Sequence, residues 1–257
     1  MESNDFREFD PENAECSKCF VGMYLEDGLE WQDTKYVFCK DCEQEIIEKL
    51  LKVAVRNPEF GILSPMQLNC DGTEIDQRVR GSIYRGAPKF YSDAFLNKLS
   101  DCYELPFISG ASWLVSVSCI KHVGGFDSLF FMYGEDDDYC FRAKAHGYKI
   151  GLVPDSTIFH KRITKPRKGK RANIDFSASR KTSTIMVTLK TTHRNFLIEV
   201  ILQGYYHLKQ IIQAIAKWDI GELVELVISG LKIFTNLSKI WRHRNYSLQN
   251  SAFMALI

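Results

Sequence analysis

Between Glu43 and Pro154 the apolar residues change period repeatedly, and this alternation restricts the chain to a layered α/β fold. Glu43 to Val55 carries apolar side chains at Ile46, Ile47, Leu50, Leu51 and Ala54, the spacing of an amphipathic helix. Asn57-Pro58 ends that helix. Phe60 to Pro65 (FGILSP) reads as a short buried strand, and Asp71-Gly72 as a turn. Ile83 to Tyr91 fits strand or loop. Ser112 to Ser118 (SWLVSVS) alternates with period two and predicts a strand. Val123 to Asp127 is a loop, and Asp136 to His146 a charged helix closed by Gly147. Tyr148 to Val153 predicts a last strand, stopped by Pro154. Upstream, Lys35 to Phe38 (KYVF) is a shorter β-prone run.

The 257 residues are 45% hydrophobic and 25% charged, which suits a globular chain and excludes disorder throughout. Basic residues number 33 and acidic residues 32, so a nucleic-acid partner held by bulk charge is not expected. The most apolar stretch, Leu197 to Ala216, is interrupted by Glu199, His207 and Lys209. It predicts a buried or surface-lying helix rather than a membrane span. The opening MESNDFREFDPENAE reads as neither a secretory nor a transit peptide, so a reducing, cytoplasmic location is expected for the eight cysteines.

Composition divides the chain into residues 1–34, polar and without strong periodicity, a core at 35–160, and a tail at 161–257. Lys161 to Lys181 holds nine basic residues against one acid, Asp175. Phe196 to Phe234 then carries two helical patterns broken near Asp219-Ile-Gly221. Trp218, Trp241, Arg242, His243, Arg244 and Tyr246 follow. These helices pack on the core with solvated charges, or lie basic and aromatic against the inner face of the cell membrane.

The densest chemical signal is Gly134-Glu135-Asp136-Asp137-Asp138. Adjacent carboxylates repel one another, and the repulsion raises at least one pKa, which is how a carboxylate becomes a usable general base. The same acids can also cap the helix that follows and favour its dipole. Arg142 lies four residues after Asp138, so an i,i+4 ion pair makes Asp138 the more structural of the set.

Ser109 to Val115 (SGASWLV), Val123 to Asp127 (VGGFD), Phe130 to Asp138 (FFMYGEDDD), Gly147-Tyr148, Val153-Pro154 and His160 together resemble family-2 glycosyltransferases. They look most like the rhamnosyltransferase type of bacterial polysaccharide assembly. Ile46 to Pro65 resembles the helix and strand after that family's metal motif, so the likeness runs from about residue 35 to 160. It implies a GT-A-like mixed sheet with flanking helices, here with a C-terminal helical extension. It also implies an inverting transfer of a sugar from a nucleotide-sugar donor to a hydroxyl of a polysaccharide or lipid-linked glycan. By the same resemblance Asp136 is the base and Glu135 orients it or the acceptor. Gly110, Ala111, Trp113, Asp137 and Arg142 would contact donor or acceptor. Trp113 fits a sugar-stacking role and a core role equally. Mn²⁺ or Mg²⁺ would be held through Asp41 and His160.

The sequence departs from that family at the donor end. Few residues precede Tyr36, and Cys39-Lys-Asp-Cys42 stands where the family has Asp-x-Asp, with Cys39 at the first Asp and Asp41 at the second. The N-terminal donor half is therefore expected to be shortened or replaced, or completed by a partner chain or second copy. Two alternatives follow. One is a catalytically impaired glycosyltransferase-like partner protein. The other is a zinc-binding module on an α/β domain, since Cys16, Cys19, Cys39 and Cys42 form two CxxC pairs 19 residues apart, a four-thiolate spacing. Cys70, Cys102, Cys119 and Cys140 lack such spacing and are expected in the core.

Overall fold

The computed structural model describes residues 40–130, 133–160, 170–190 and 194–253. It is an α/β fold: a four-stranded mixed sheet flanked by helices and followed by three C-terminal helices. The elements are α1 (Lys40–Arg56), β1 (Phe60–Leu68), α2 (Gln77–Gly86), α3 (Lys89–Phe95), β2 (Tyr103–Glu104), β3 (Leu114–Val115), α4 (Val117–Val123), α5 (Glu135–Ala145), β4 (Lys149–Phe159), α6 (Lys170–Lys190), α7 (Phe196–Ala216) and α8 (Ile220–Tyr246).

The sheet order is β2-β4-β1-β3, with β1 and β4 parallel and the short outer strands antiparallel to them. Side-chain alternation feeds two cores. Ile62 and Met66 of β1 and Ile150 and Leu152 of β4 face Val79, Ile83, Cys119, Tyr139 and Ala143 from α2, α4 and α5. Leu63 and Val153 face the opposite way, onto Leu50 and Val53 of α1.

Three local expectations are corrected. Ile83 to Tyr91 falls in the end of α2 and the start of α3, broken at Ala87-Pro88, and Asp76 caps α2 by accepting from the Arg78 N–H at 2.9 Å. Ser112 to Ser118 is not one strand. Only Leu114–Val115 pairs with β1, and the Ser116 hydroxyl then caps α4 by accepting from Cys119 N–H. The hydroxyl's local bond wins over the period-two pattern. Pro154 does not stop β4. Register passes from Pro65↔Val153 to Met66↔Thr157, so Pro154 falls in a bulge, where its missing N–H costs no ladder bond. Cys119 and Cys140 are buried and Cys102 packs beside α1, but Cys70 is exposed. Burial pushes the Cys119 thiol up to about 11, which suits an inert packing role.

The C-terminal helices dock on the core. Phe130 joins Met186, Leu189 and Ile240 in a third cluster. At its edge Ala252 O accepts from Gly125 N–H at 2.9 Å, binding the chain's end to the loop after α4. Lys35 to Phe38 and the side chain of Cys42, with Cys16, Cys19 and Cys39, lie outside the described residues.

Candidate active site

The parallel pair β1 and β4 ends on one edge of the sheet, where open α/β sheets bind ligands. His160 follows β4, and its N–H donates to Leu68 O at 2.7 Å. Asp76 lies beyond β1, with its N–H on Gln67 O at 2.8 Å. The buried His160 ring has Nδ1 3.5 Å from Asp76 Oδ2. Asp76 caps α2 with its other oxygen, which accepts from the Arg78 backbone N–H at 2.9 Å.

Arg78 leads to the acidic segment. Its Nη1 is 3.6 Å from Asp136 Oδ2, which also accepts from Gly110 N–H at 3.3 Å. Asp136 Oδ1 accepts from Asp137 N–H at 2.9 Å. Both oxygens of the expected base are thus oriented, and its residue is only 8% exposed. A Cβ on Gly110 would touch Asp136 Cβ at 3.4 Å, so the glycine accommodates the close approach.

Backbone geometry aims the acids. Tyr133 and Gly134 both have positive φ, 75° and 92°, immediately before α5. Such a conformation in a bulky residue is strained and persists only where the surroundings impose it. Tyr133 is held by an edge contact to Phe176, with ring centroids 5.3 Å apart, and by the Arg180 guanidinium over its ring at 5.6 Å.

The four acids then have distinct environments. Burial, then the Asp136 charge, pushes the Asp137 carboxyl up to about 6. Burial also raises Glu135, whose Oε2 is buried with no hydrogen-bond partner among the described residues. Asp138 is structural, as expected: it accepts from Arg142 Nε at 2.8 Å and from Lys190 Nζ at 2.6 Å. Arg142 is fully buried and spends its other donors on Val123 O and Gly125 O, so it is a packing anchor. Trp113 is half-buried, stacks on Phe126 at 6.4 Å and donates to Ser109 O at 3.0 Å. Its core role is the one the geometry displays. Ala111 is half-buried beside Gly110 on the same loop.

The structure therefore gathers Gly110, Glu135, Asp136 and Asp137, joined to His160 through Asp76 and Arg78. A cavity of about 150 Å³ opens beside them, between α5 and α6. Asp137, Gly134 and Arg78 line one side; Arg180, Ser183, Thr184, Val187 and Thr188 of α6 line the other. Sequence reading missed Arg78 because no element was assigned to the residues between the Asp71-Gly72 turn and Ile83. It missed the α6 wall because that segment reads as a basic linker. The available signal was the 180/183/184/187/188 spacing, one helical face that carries Arg180, three hydroxyl residues and Val187.

No protein-family model matches the chain. It is 30% identical over 127 residues to the N-acetylglucosaminyl-diphospho-decaprenol L-rhamnosyltransferase of Mycobacterium tuberculosis, in strains CDC 1551 / Oshkosh and ATCC 25618 / H37Rv. The match covers 44% of this chain and 41% of each relative. The chain thus spans about two fifths of the length of the curated relatives it matches. The similarity supports a glycosyltransferase-like family.

The metal expectation has a narrower footing. Among the described residues no group of three or more His, Cys, Asp or Glu side chains is disposed to hold a metal ion. His160 and Asp76 make a two-donor set, and the Asp41 side chain lies outside the described residues. The residues described do not fit a metal site, and no chemical step is assigned to one.

Proposed function

We propose that the chain is an inverting glycosyltransferase that moves a sugar from a nucleotide-sugar donor to a hydroxyl of a lipid-linked or polysaccharide glycan. The carrying observation is the Asp136 carboxylate, held between Gly110 N–H and Arg78 at the carboxyl edge of the parallel strands. The similarity to a rhamnosyltransferase that acts on a diphospho-decaprenol substrate supports the same class.

In this reaction the acceptor hydroxyl gives its proton to Asp136. Its oxygen attacks the anomeric carbon in line, the bond from that carbon to the diphosphate oxygen breaks, and the nucleoside diphosphate leaves with the electron pair. Glu135 and Gly110 orient the base and the acceptor. General-base action of this kind contributes about 10² to 10⁴ in rate.

The test is transfer from UDP- and dTDP-sugars to a short prenyl-diphosphate-linked sugar, with Mn²⁺ and with chelator. Turnover that Asp136→Asn abolishes supports the reading. No turnover with any donor, or equal turnover by Asp136→Asn, defeats it.

The surface of α7 favours a membrane-bound setting for such an acceptor. Leu197, Ile201, Tyr205, Leu208, Ile212 and Ile215 are all exposed, and Trp218, 89% exposed, follows the helix. Among the described residues no helix is long and apolar enough to cross a membrane. An exposed apolar helix with flanking Trp and Tyr suits the headgroup boundary of a bilayer.

A further inference from the structure

We infer that the cavity between α5 and α6 is a diphosphate subsite on the acceptor side, with Arg78 and Arg180 gripping the phosphates. This rests on the glycosyl-transfer reading and names what part of the acceptor the site holds.

Two guanidinium groups line one small polar cavity. Arg78 approaches Asp136 only at 3.6 Å, beyond hydrogen-bond distance, and its side chain is 40% exposed. Arg180 has no carboxylate partner among the described residues; its guanidinium rests over the Tyr133 ring. Each offers a planar fork of N–H donors matched to phosphate oxygens, and neither is spent on an internal bidentate pair. Ser183 adds a hydroxyl on the α6 side, while the Thr188 hydroxyl donates to Thr184 O within the helix. Asp137 faces the same cavity, and burial with the Asp136 charge raises its carboxyl to about 6, so diphosphate binding should strengthen as pH falls through that value.

The chemistry of inversion selects the acceptor's diphosphate over the donor's. Attack is in line, so the donor diphosphate leaves on the far side of the anomeric carbon from the base. A sugar-diphosphate-lipid acceptor, by contrast, places its hydroxyl at Asp136 and its diphosphate one sugar ring away. Arg78 lines the cavity and has its guanidinium 3.6 Å from Asp136, so the cavity adjoins the base.

The experiment is calorimetry on the full chain with inorganic pyrophosphate, geranyl diphosphate and UDP, comparing wild type, Arg180→Gln and Arg180→Lys. Arg180 is exposed, so both variants should fold, which circular dichroism verifies. The expected result is that Arg180→Gln weakens pyrophosphate and geranyl diphosphate at least about tenfold, that Arg180→Lys restores part of the loss, and that UDP is unaffected. The inference is overturned if wild type binds neither diphosphate probe, if Arg180→Gln binds them as wild type does, or if UDP weakens equally. Arg180-dependent diphosphate binding without any sugar transfer would overturn the transfer reading and leave the subsite standing. Normal transfer with Arg180→Gln unchanged would do the reverse.

Discussion

Lys190 Nζ, at the end of α6, donates to Asp138 Oδ1 on α5 at 2.6 Å, with both side chains 2% exposed or less. The same ammonium donates to Asp127, which also receives His243 of α8 through Nδ1 at 2.6 Å. Burial alone would raise the Asp127 carboxyl, but Lys190 beside it holds it below the usual value. Two carboxylates, Lys190 and Arg142 thus form one buried network that ties the tail to the acidic segment.

Removing the central cation should therefore unfold more than a helix end. Lys190→Ala leaves Asp127 with only His243 and the Leu129 N–H, both on Oδ1, and Asp138 with Arg142 alone. It should cost about 3–5 kcal/mol, read by chemical denaturation. A loss below about 1 kcal/mol would mean the tail docks through Met186, Leu189 and Ile240 without the network.

Asp136→Asn should keep the fold and its melting temperature within a few degrees, while transfer falls about 10²-fold or more. The contrast with Lys190→Ala separates chemistry from scaffold. If both variants lose activity only in proportion to folded protein, Asp136 is a packing residue.

Asp137 makes the wild type less stable as pH rises. Its folded pKa, about 6, lies above the usual 3.8, so the folded state holds the proton more tightly. That advantage is complete below pH 4 and is lost as pH climbs through about 6. Asp137→Asn should flatten this slope, gaining on the order of 1–3 kcal/mol on the wild type at pH 8 relative to pH 4. Denaturation midpoints at pH 4, 6 and 8 check it; parallel curves for the two proteins would refute the assignment.

Gly124 has φ 85° and ψ −155°, a region open almost only to glycine, and an added Cβ would lie 1.7 Å from Ala252 O. Gly124→Ala should cost roughly 3 kcal/mol and expose the C-terminal segment to protease. Gly147, also at positive φ but with open space around it, should cost less under the same change.

Vesicles containing anionic lipid should carry the protein upward in flotation at low salt and less at high salt, since basic contacts are screened. Ile201→Glu with Ile212→Glu should abolish flotation at both. Unchanged flotation, or a concentration-dependent dimer lost in the same variant, would assign the α7 face to another copy of the chain.

Much of this was legible in the residues themselves. The helix at Glu43–Val55, the helix after Gly134 with Gly147 at its end, the break at Asp219, and the Asp138–Arg142 pair all follow from local rules: period, capping, and i,i+4 reach. The α1 stripe was only partly right, since Ile47 and Leu51 are exposed while Val53 is buried. Where reading failed, a local bond or a distant strand decided. Ser116 became a cap, and Pro154 was absorbed by a bulge against Pro65.

The sequence by itself determined the fold class and singled out the acids at 135–138, because periodicity and charge density are properties of neighbours along the chain. Only the tertiary structure decided what each acid does. Asp138 is neutralised by a lysine 52 residues away, Asp136 is oriented by a glycine 26 residues before it, and Asp137 faces a wall built from α6. Burial and pairing set a carboxylate's role, and both come from elements that meet only after the chain has folded.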